Sequence, residues 1–421
     1  MNGHRRNRSA IPRERAPDST LSLLAEGYAF IPNRCRRHGS ELFAARLMLS
    51  PVVCLSGREA ASRFYDHYRF TRRHALPPTT FALIQDHGSV MVMDGEAHRH
   101  RKAMFLSLVG EDALRRFADL FTEHWHRAVP RWAAKDSVVL LDEAHRVITQ
   151  AVCDWVGLPL APDEVDARTA EFAAMVDGTG AIGPRNWRGH LLRARTERWA
   201  RARIEEIRSG RSDAPPGPAR TVATHRDAEG RLLDGKTAGV ELINLLRPTV
   251  ANARYVVFAA MALHENPHWA EALRAADEDT RQRFAWEVRR AYPFIPFIGG
   301  RVREPFEWRG HAFELGDWAL MDLYGTNHDP GRWHAPERFD PDRFRTEAID
   351  PFDLISHGGG SATDGHRCPG EGLTQTLLVT AAHLLATSMR YELPPQDLTL
   401  DLAYIPARPR SGCVLRGVRA V

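Results

Sequence analysis

The stretch HGGGSATDGHRCPGE, His357 to Glu371, decides how the rest of the chain is read. It runs straight into GLTQTLLVTAAHLLATSM, where apolar residues recur every three or four positions, which predicts a helix over Gly372 to Met389. Cys368 therefore stands behind a glycine-rich loop and just ahead of a helix. The positive end of the helix dipole favours a thiolate there. The glycines let backbone N–H groups approach the sulfur, and Pro369 suits a first helical turn. A deprotonated cysteine so placed can ligate iron axially. For a cysteine taken alone, an inert buried residue is the commoner reading, so its neighbours must decide.

Composition narrows the class. The chain has 421 residues, with 57 Lys and Arg against 53 Asp and Glu, a formal charge of +4. A balance so near neutral argues against a nucleic-acid partner. No apolar run reaches the roughly 18 residues of a membrane span. The opening MNGHRRNRSAIPRER is basic without an apolar core behind it, so neither signal peptide nor anchor is expected. Residues 1–16 read as a flexible basic tail and 17–421 as a single domain. Cys35, Cys54, Cys153, Cys368 and Cys413 show neither a CxxC pair nor a disulfide framework, which points to a reducing, cytoplasmic setting.

Helical periodicity dominates: Leu114 to Trp132, Val165 to Met175, Arg195 to Ser209, Lys236 to Leu263, Trp269 to Ala275 and Arg281 to Ala291. Short strands are expected at Tyr28 to Ile31, Pro51 to Leu55, Arg301 to Arg303, His311 to Leu315 and Trp318 to Asp322. The fold class is mainly α with a minor β region. Between Ser209 and Leu232, SGRSDAPPGPAR reads as an exposed connection.

Two further motifs accompany the cysteine loop. Glu287 and Arg290 lie three apart on one helical face and can pair. Arg338, within Pro336-Glu337-Arg338-Phe339, is expected to complete a buried charge network with them, which is tolerable only if every donor is matched. ExxR, then PERF, then a glycine-rich loop with one cysteine resembles the cytochrome P-450 superfamily. That resemblance implies one mainly α domain, a haem b cofactor, Cys368 as the axial iron ligand, and Glu287, Arg290 and Arg338 as a structural triad. Ser361 stands where the family commonly has phenylalanine, and the loop from Gly358 to His366 is longer than the common form.

The long central helix, ELINLLRPTVANARYVVFAAMALHENP, carries Arg247-Pro248 where most of that superfamily has an acid-threonine pair for protonating bound dioxygen. Proline inside a helix removes a backbone bond, and arginine on an apolar face is costly unless it meets an anion. Together with ALP at Ala75 to Pro77, MDGEAHRHRKAMFLSL from Met93 and YPFIPF at Tyr292 to Phe297, the pair resembles the bacterial fatty-acid peroxygenase branch. The resemblance implies a hydrogen-peroxide-dependent enzyme that hydroxylates a carboxylic acid at its alpha or beta carbon, or decarboxylates it. Arg247 would clamp the substrate carboxylate, which would then serve as the general acid-base that the helix lacks. Redox partner proteins would not be required. A dioxygen-dependent monooxygenase with redox partners is the alternative.

Carried over residue by residue, Arg72, His98, Lys102 and His366 are expected to face the haem propionates. Met91, Phe294, Gln85 and Ala251 are expected in the substrate pocket. At Met91 the family commonly has glutamine or histidine, and methionine donates no hydrogen bond, so the choice of product is not legible there. The loop through Gln85, Asp86 and His87, with Asn252 and Arg254 beyond the clamp, is polar enough to suit a shorter or more functionalised acid.

Overall fold

The computed structural model describes residues 11–86, 88–212, 215–275, 277–345 and 349–421. Short helices α1 (Thr20–Glu26), α2 (Phe30–His38), α3 (Arg58–Phe64) and α4 (Pro78–Ile84) lie ahead of the main body. That body is built from α5 (Gly95–Ser107), α6 (Glu111–Ala133), α7 (Leu140–Val156), α8 (Val165–Asp177), α9 (Pro184–Arg208), α10 (Pro218–Thr224), α11 (Gly235–Ala251) and α12 (Ala253–Glu265). It continues through α13 (Pro267–Ala275), α14 (Glu278–Ala291), α15 (Leu323–Asn327) and α16 (Glu371–Thr387). The largest apolar cluster joins α6, α7, α11, α12 and α16. α7, absent from the expected helices, buries most of its length, although Leu140, Leu141, Ala144, Val147, Ile148, Ala151, Val152, Trp155 and Val156 recur at three- and four-residue intervals.

Strands β1 (Leu42–Leu47), β2 (Ser50–Leu55), β3 (Phe70–Thr71), β4 (Ser137–Val139), β5 (Phe297–Val302), β6 (Phe306–Trp308), β7 (His311–Phe313), β8 (Trp318–Asp322), β9 (Met389–Glu392) and β10 (Val414–Ala420) form the minor part. The five-stranded sheet runs β1-β2-β8-β5-β3. Only the β2/β8 pair within it is parallel. A smaller sheet, β4-β10-β9, carries the C-terminus, and β6 pairs with β7. The expected strands at Pro51, Arg301, His311 and Trp318 all fall on or against these.

Tyr28 to Ile31 is not a strand. It is a helical turn leading into α2, with Tyr28, Phe30 and Ile31 buried; a run of four apolar residues fits either state, and Pro32 in a first helical turn costs little. The helix expected over Lys236 to Leu263 divides at Asn252 into α11 and α12. Pro248 removes one backbone donor just before that break. Of the expected tail, residues 1–10 lie outside the described residues, whereas Ile11 is buried, Arg13 bridges Ala44, and Glu14 pairs with Arg34.

Candidate active site

Cys368 is held by its loop from both sides. Its N–H donates to the His357 carbonyl at 2.9 Å, and its carbonyl accepts from Glu371 at 3.3 Å as α16 begins. Burial pushes the Cys368 thiol up, against a backbone N–H from Gly370 that favours the thiolate. A Cβ at Gly370 would stand 3.7 Å from the sulfur. Gly358 and Gly360 adopt φ of +87° and +77°, which glycine alone reaches cheaply. Tyr65 and Phe352 lie against Gly359, so aromatic packing of the loop comes from elsewhere in the chain despite Ser361, whose hydroxyl instead caps the N–H groups of Thr363 and Asp364. The other cysteines have thiols raised by burial, as inert core residues do.

Beside the loop, four basic side chains converge. Arg72 is buried against the Phe64 ring, donates to the Gly299 carbonyl at 3.0 Å and leaves Nε without a partner. The rings of His98 and His366 lie 4.4 Å apart, and His366 approaches Asp94 at 3.9 Å. Lys102 donates to the carbonyls of Gly365 and Arg367, tying α5 to the cysteine loop. Burial first, and then the charges of His366 and Lys102, pushes His98 down to about 3, and burial, aided by Arg72 and Lys102 and opposed by a hydrogen bond to Asp94, pushes His366 down to about 4. Burial likewise takes Lys102 down to about 8 and Arg72 to about 10. The two imidazoles are therefore neutral near pH 7, and the Arg72 guanidinium and Lys102 ammonium are the buried cations of the group, which an anion would stabilise.

The charge network under α14 differs from expectation in one member. Arg290 Nε and Nη2 donate to Glu287 at 2.7 and 2.8 Å, and both residues are fully buried. The third guanidinium is that of Arg343, whose Nε stands 3.1 Å from Glu287. Arg338 is exposed and gives only its carbonyl, which accepts from Arg290 and Arg343. Arg343 follows Phe339-Asp340-Pro341, where the Asp340 N–H also reaches Glu287 at 2.8 Å, so the chain turns inward five residues later than the motif suggested.

Arg247 lies on α11, 7 % exposed. Its Nη2 reaches Asn244 Oδ1 at 3.4 Å, and Nη1 has no partner among the described residues. Asn244 in turn donates to Glu241 at 2.9 Å, and Glu241 accepts from Arg101 at 2.7 Å and from the Val90 N–H at 2.9 Å. Arg101–Glu241–Asn244–Arg247 is thus one buried polar row. Glu241 and Asn244 are absent from the expected site residues, although their i, i+3, i+6 spacing with Arg247 puts the three along one side of α11. Burial, and then the charge of Arg193, pushes Arg247 down to about 9. Thr249 Oγ1 donates to the Leu245 carbonyl at 2.7 Å.

Comparison with known proteins fits this geometry. A family model for cytochrome P-450 matches residues 282–399. Cytochrome P450SP alpha in complex with (R)-ibuprophen is 44% identical, with a TM-score of 0.93 over 96% of this chain and 99% of that one. The chain belongs to the cytochrome P-450 family. Cytochrome P450EX alpha with myristic acid is 38% identical, TM-score 0.94, over 98% of this chain and 100% of that one. A variant of cytochrome P-450 OleT in complex with arachidonic acid is 31% identical, TM-score 0.95, over 98% and 99%. Curated relatives include Abscisic acid 8'-hydroxylase 2 of Arabidopsis thaliana, 22% identical over 94% of this chain and 86% of its own length.

As in other members of the cytochrome P-450 family, a haem iron is the implied group, and the residues fit it. Cys368 offers a sulfur beside a donor N–H, and the Arg72 cluster, with an unpartnered Nε, suits carboxylates. Among the described residues no group of three or more His, Cys, Asp or Glu side chains gathers to hold a metal without a cofactor. Among the described residues of this cytochrome P-450, no helix is long and apolar enough to cross a membrane.

The remaining expected pocket residues are dispersed. Ala251, one turn past Arg247, closes α11, and Met91 is 37 % exposed on the turn that Glu241 anchors. Phe294 stacks on Tyr255 at 4.4 Å. Gln85 is buried with an unpartnered Oε1, and it lines a cavity of about 1070 Å³ together with Ala75, Pro77, Phe81 and Trp318, rimmed by Arg73, Lys236 and Arg301. Asn252 and Arg254 are engaged elsewhere, Asn252 by Thr374 and Arg254 by Asp177. His87 lies outside the described residues.

Proposed function

We propose that this cytochrome P-450 uses hydrogen peroxide to oxidise a carboxylic acid, with Arg247 binding the substrate carboxylate. The carrying observation is the buried Nη1 of Arg247, which has no partner among the described residues. A guanidinium in that position demands an anion. Solved structures at 31–44% identity carry myristic acid, arachidonic acid and (R)-ibuprophen, all carboxylic acids.

Haem b, bound through Cys368, would supply iron whose thiolate ligand favours O–O cleavage of peroxide. The chain's part is to position and to manage protons. Asn244 orients the Arg247 guanidinium; Arg247 holds the acid so that its carboxylate oxygen takes and returns the peroxide proton. Hydroxylation consumes one acid and one peroxide and yields a hydroxy acid and water. Decarboxylation yields a terminal alkene, carbon dioxide and two waters. Arg72, His98 and His366 would meet the propionates, with Lys102 bracing the cysteine loop. Residues 17–421, with the packed stretch from Ile11 to Ala16 joined to them, would act as one catalytic unit.

A dioxygen-dependent monooxygenase needs a proton relay in the central helix, whereas Thr249 spends its hydroxyl on the Leu245 carbonyl and the acid's place is taken by arginine. The test is product analysis by mass spectrometry, with purified enzyme, peroxide and a panel of fatty acids. Hydroxy acids or alkenes, formed without a reductase, are expected. Turnover only with dioxygen and a reductase would overturn the proposal.

A further inference from the structure

Arg247 has a neighbour of like charge on another helix. α9 and α11 run antiparallel in close contact: a Cβ at Gly239 would stand 3.2 Å from the backbone nitrogen of Arg201, and one at Gly235 would meet Glu205. Eight residues onward along α11 is Arg247, and eight residues back along α9 is Arg193. At a rise of about 1.5 Å per residue both are displaced about 12 Å in the same direction, so they share one level of the interface.

Arg193 is 4 % exposed. Its Nε donates to Glu197 one turn on, at 2.6 Å, and its Nη1 has no partner among the described residues. It is also the charged group whose field depresses Arg247. Two buried guanidiniums at one level, each with an idle Nη1, repel each other across a medium that screens charge poorly. The charges of the neighbourhood show what is missing. Arg101 is matched by Glu241 and Arg193 by Glu197, which leaves Arg247 as one excess positive charge, so the vacancy suits one monoanion.

We infer that the substrate carboxylate is shared between two helices, one oxygen accepting from Arg247 Nη1 and the other from Arg193 Nη1, so that Arg193 is a second binding residue for the acid. A carboxylate has lone pairs for both donors, and charge-assisted bonds to two cations outweigh those to one. Because α9 supplies one of them, the acid also fastens α9 to α11. The class of ligand follows: monocarboxylates bind, and their esters or amides, which carry no charge to offset the two cations, bind weakly.

The inference rests on the Arg247 reading, and its test separates the two. Binding of myristic acid and of methyl myristate to the haem-loaded enzyme is measured by calorimetry for the parent, R193Q, R193K and R247A, with the melting temperature of each followed with and without acid. R193Q is expected to raise the Kd for the acid at least tenfold, to leave the ester within twofold, and to lose most of the acid-induced rise in Tm. R193K, which keeps the charge, is expected to fall between parent and R193Q, and it carries the test if R193Q fails to fold. Acid affinity within twofold of the parent in both Arg193 variants, with binding abolished in R247A, would overturn the shared clamp and leave Arg247 alone. Unchanged affinity in R247A would overturn the Arg247 reading itself.

Discussion

The proposed carboxylate clamp rests on one side chain, Arg247. It was legible in the sequence because arginine followed by proline breaks two rules of an apolar helix at once, and such violations mark functional sites. What the sequence did not disclose is the buried row behind it, Asn244, Glu241 and Arg101, because hydrogen bonds between α5, the Val90 turn and α11 join residues about 140 positions apart. R247A should lower peroxide-driven turnover of an acid by about 10²-fold or more, the usual scale for losing a positioned catalytic group, while leaving the carbon monoxide difference band of the reduced protein intact. N244L should act in the same direction but less, chiefly through KM, because it removes only the orientation of Arg247. Steady-state kinetics with peroxide and a fatty acid checks both. Met91 remains silent on product choice, since a thioether neither donates a hydrogen bond nor carries charge.

At the scale of elements, α7 was legible from its three- and four-residue apolar spacing, whereas α5 was not, because His98, Arg99, His100, Arg101 and Lys102 put basic residues around its whole circumference and three of them are buried. The α11–α12 break was signalled by Pro248, whereas Tyr28 to Ile31 was misread because four residues do not separate a period of two from one of 3.6. The network under α14 carries a sharper lesson. Glu287 and Arg290 follow from helix geometry alone, but the third arginine depends on how an irregular segment folds back, and the side chain delivered is that of Arg343. R343M, which leaves buried Glu287 with one cation fewer, should cost about 3 kcal/mol or more by the usual cost of breaking a buried pair. R338A should stay within about 0.5 kcal/mol, as surface changes do. Denaturant unfolding of the two variants measures the difference, and the reverse order would put the expected motif arginine back into the network.

At the scale of the whole molecule, the mainly α body and its cysteine loop were evident from sequence, while the joining of the β-rich part to it was not. Asp322 sits at that joint, fully enclosed, accepting from Ser56 at 2.9 Å and Gly325 at 2.8 Å. Burial pushes its carboxyl from an ordinary 3.8 up to about 7. Between those values the folded chain keeps a proton that the unfolded chain has released, so this group lowers stability as pH rises. D322N should therefore gain stability relative to the parent as pH climbs from about 4 to 7; a difference that stays flat with pH, in unfolding titrations across that range, would show that Asp322 ionises normally. The central claim concerns chemistry, and one measurement reaches it most directly: product formation from a fatty acid and from its methyl ester, with hydrogen peroxide as sole oxidant, by the parent enzyme and R247A. Conversion of the acid by the parent alone, with ester and R247A both inactive, is the predicted result; equal conversion of acid and ester would contradict a carboxylate held by Arg247 as the missing acid-base.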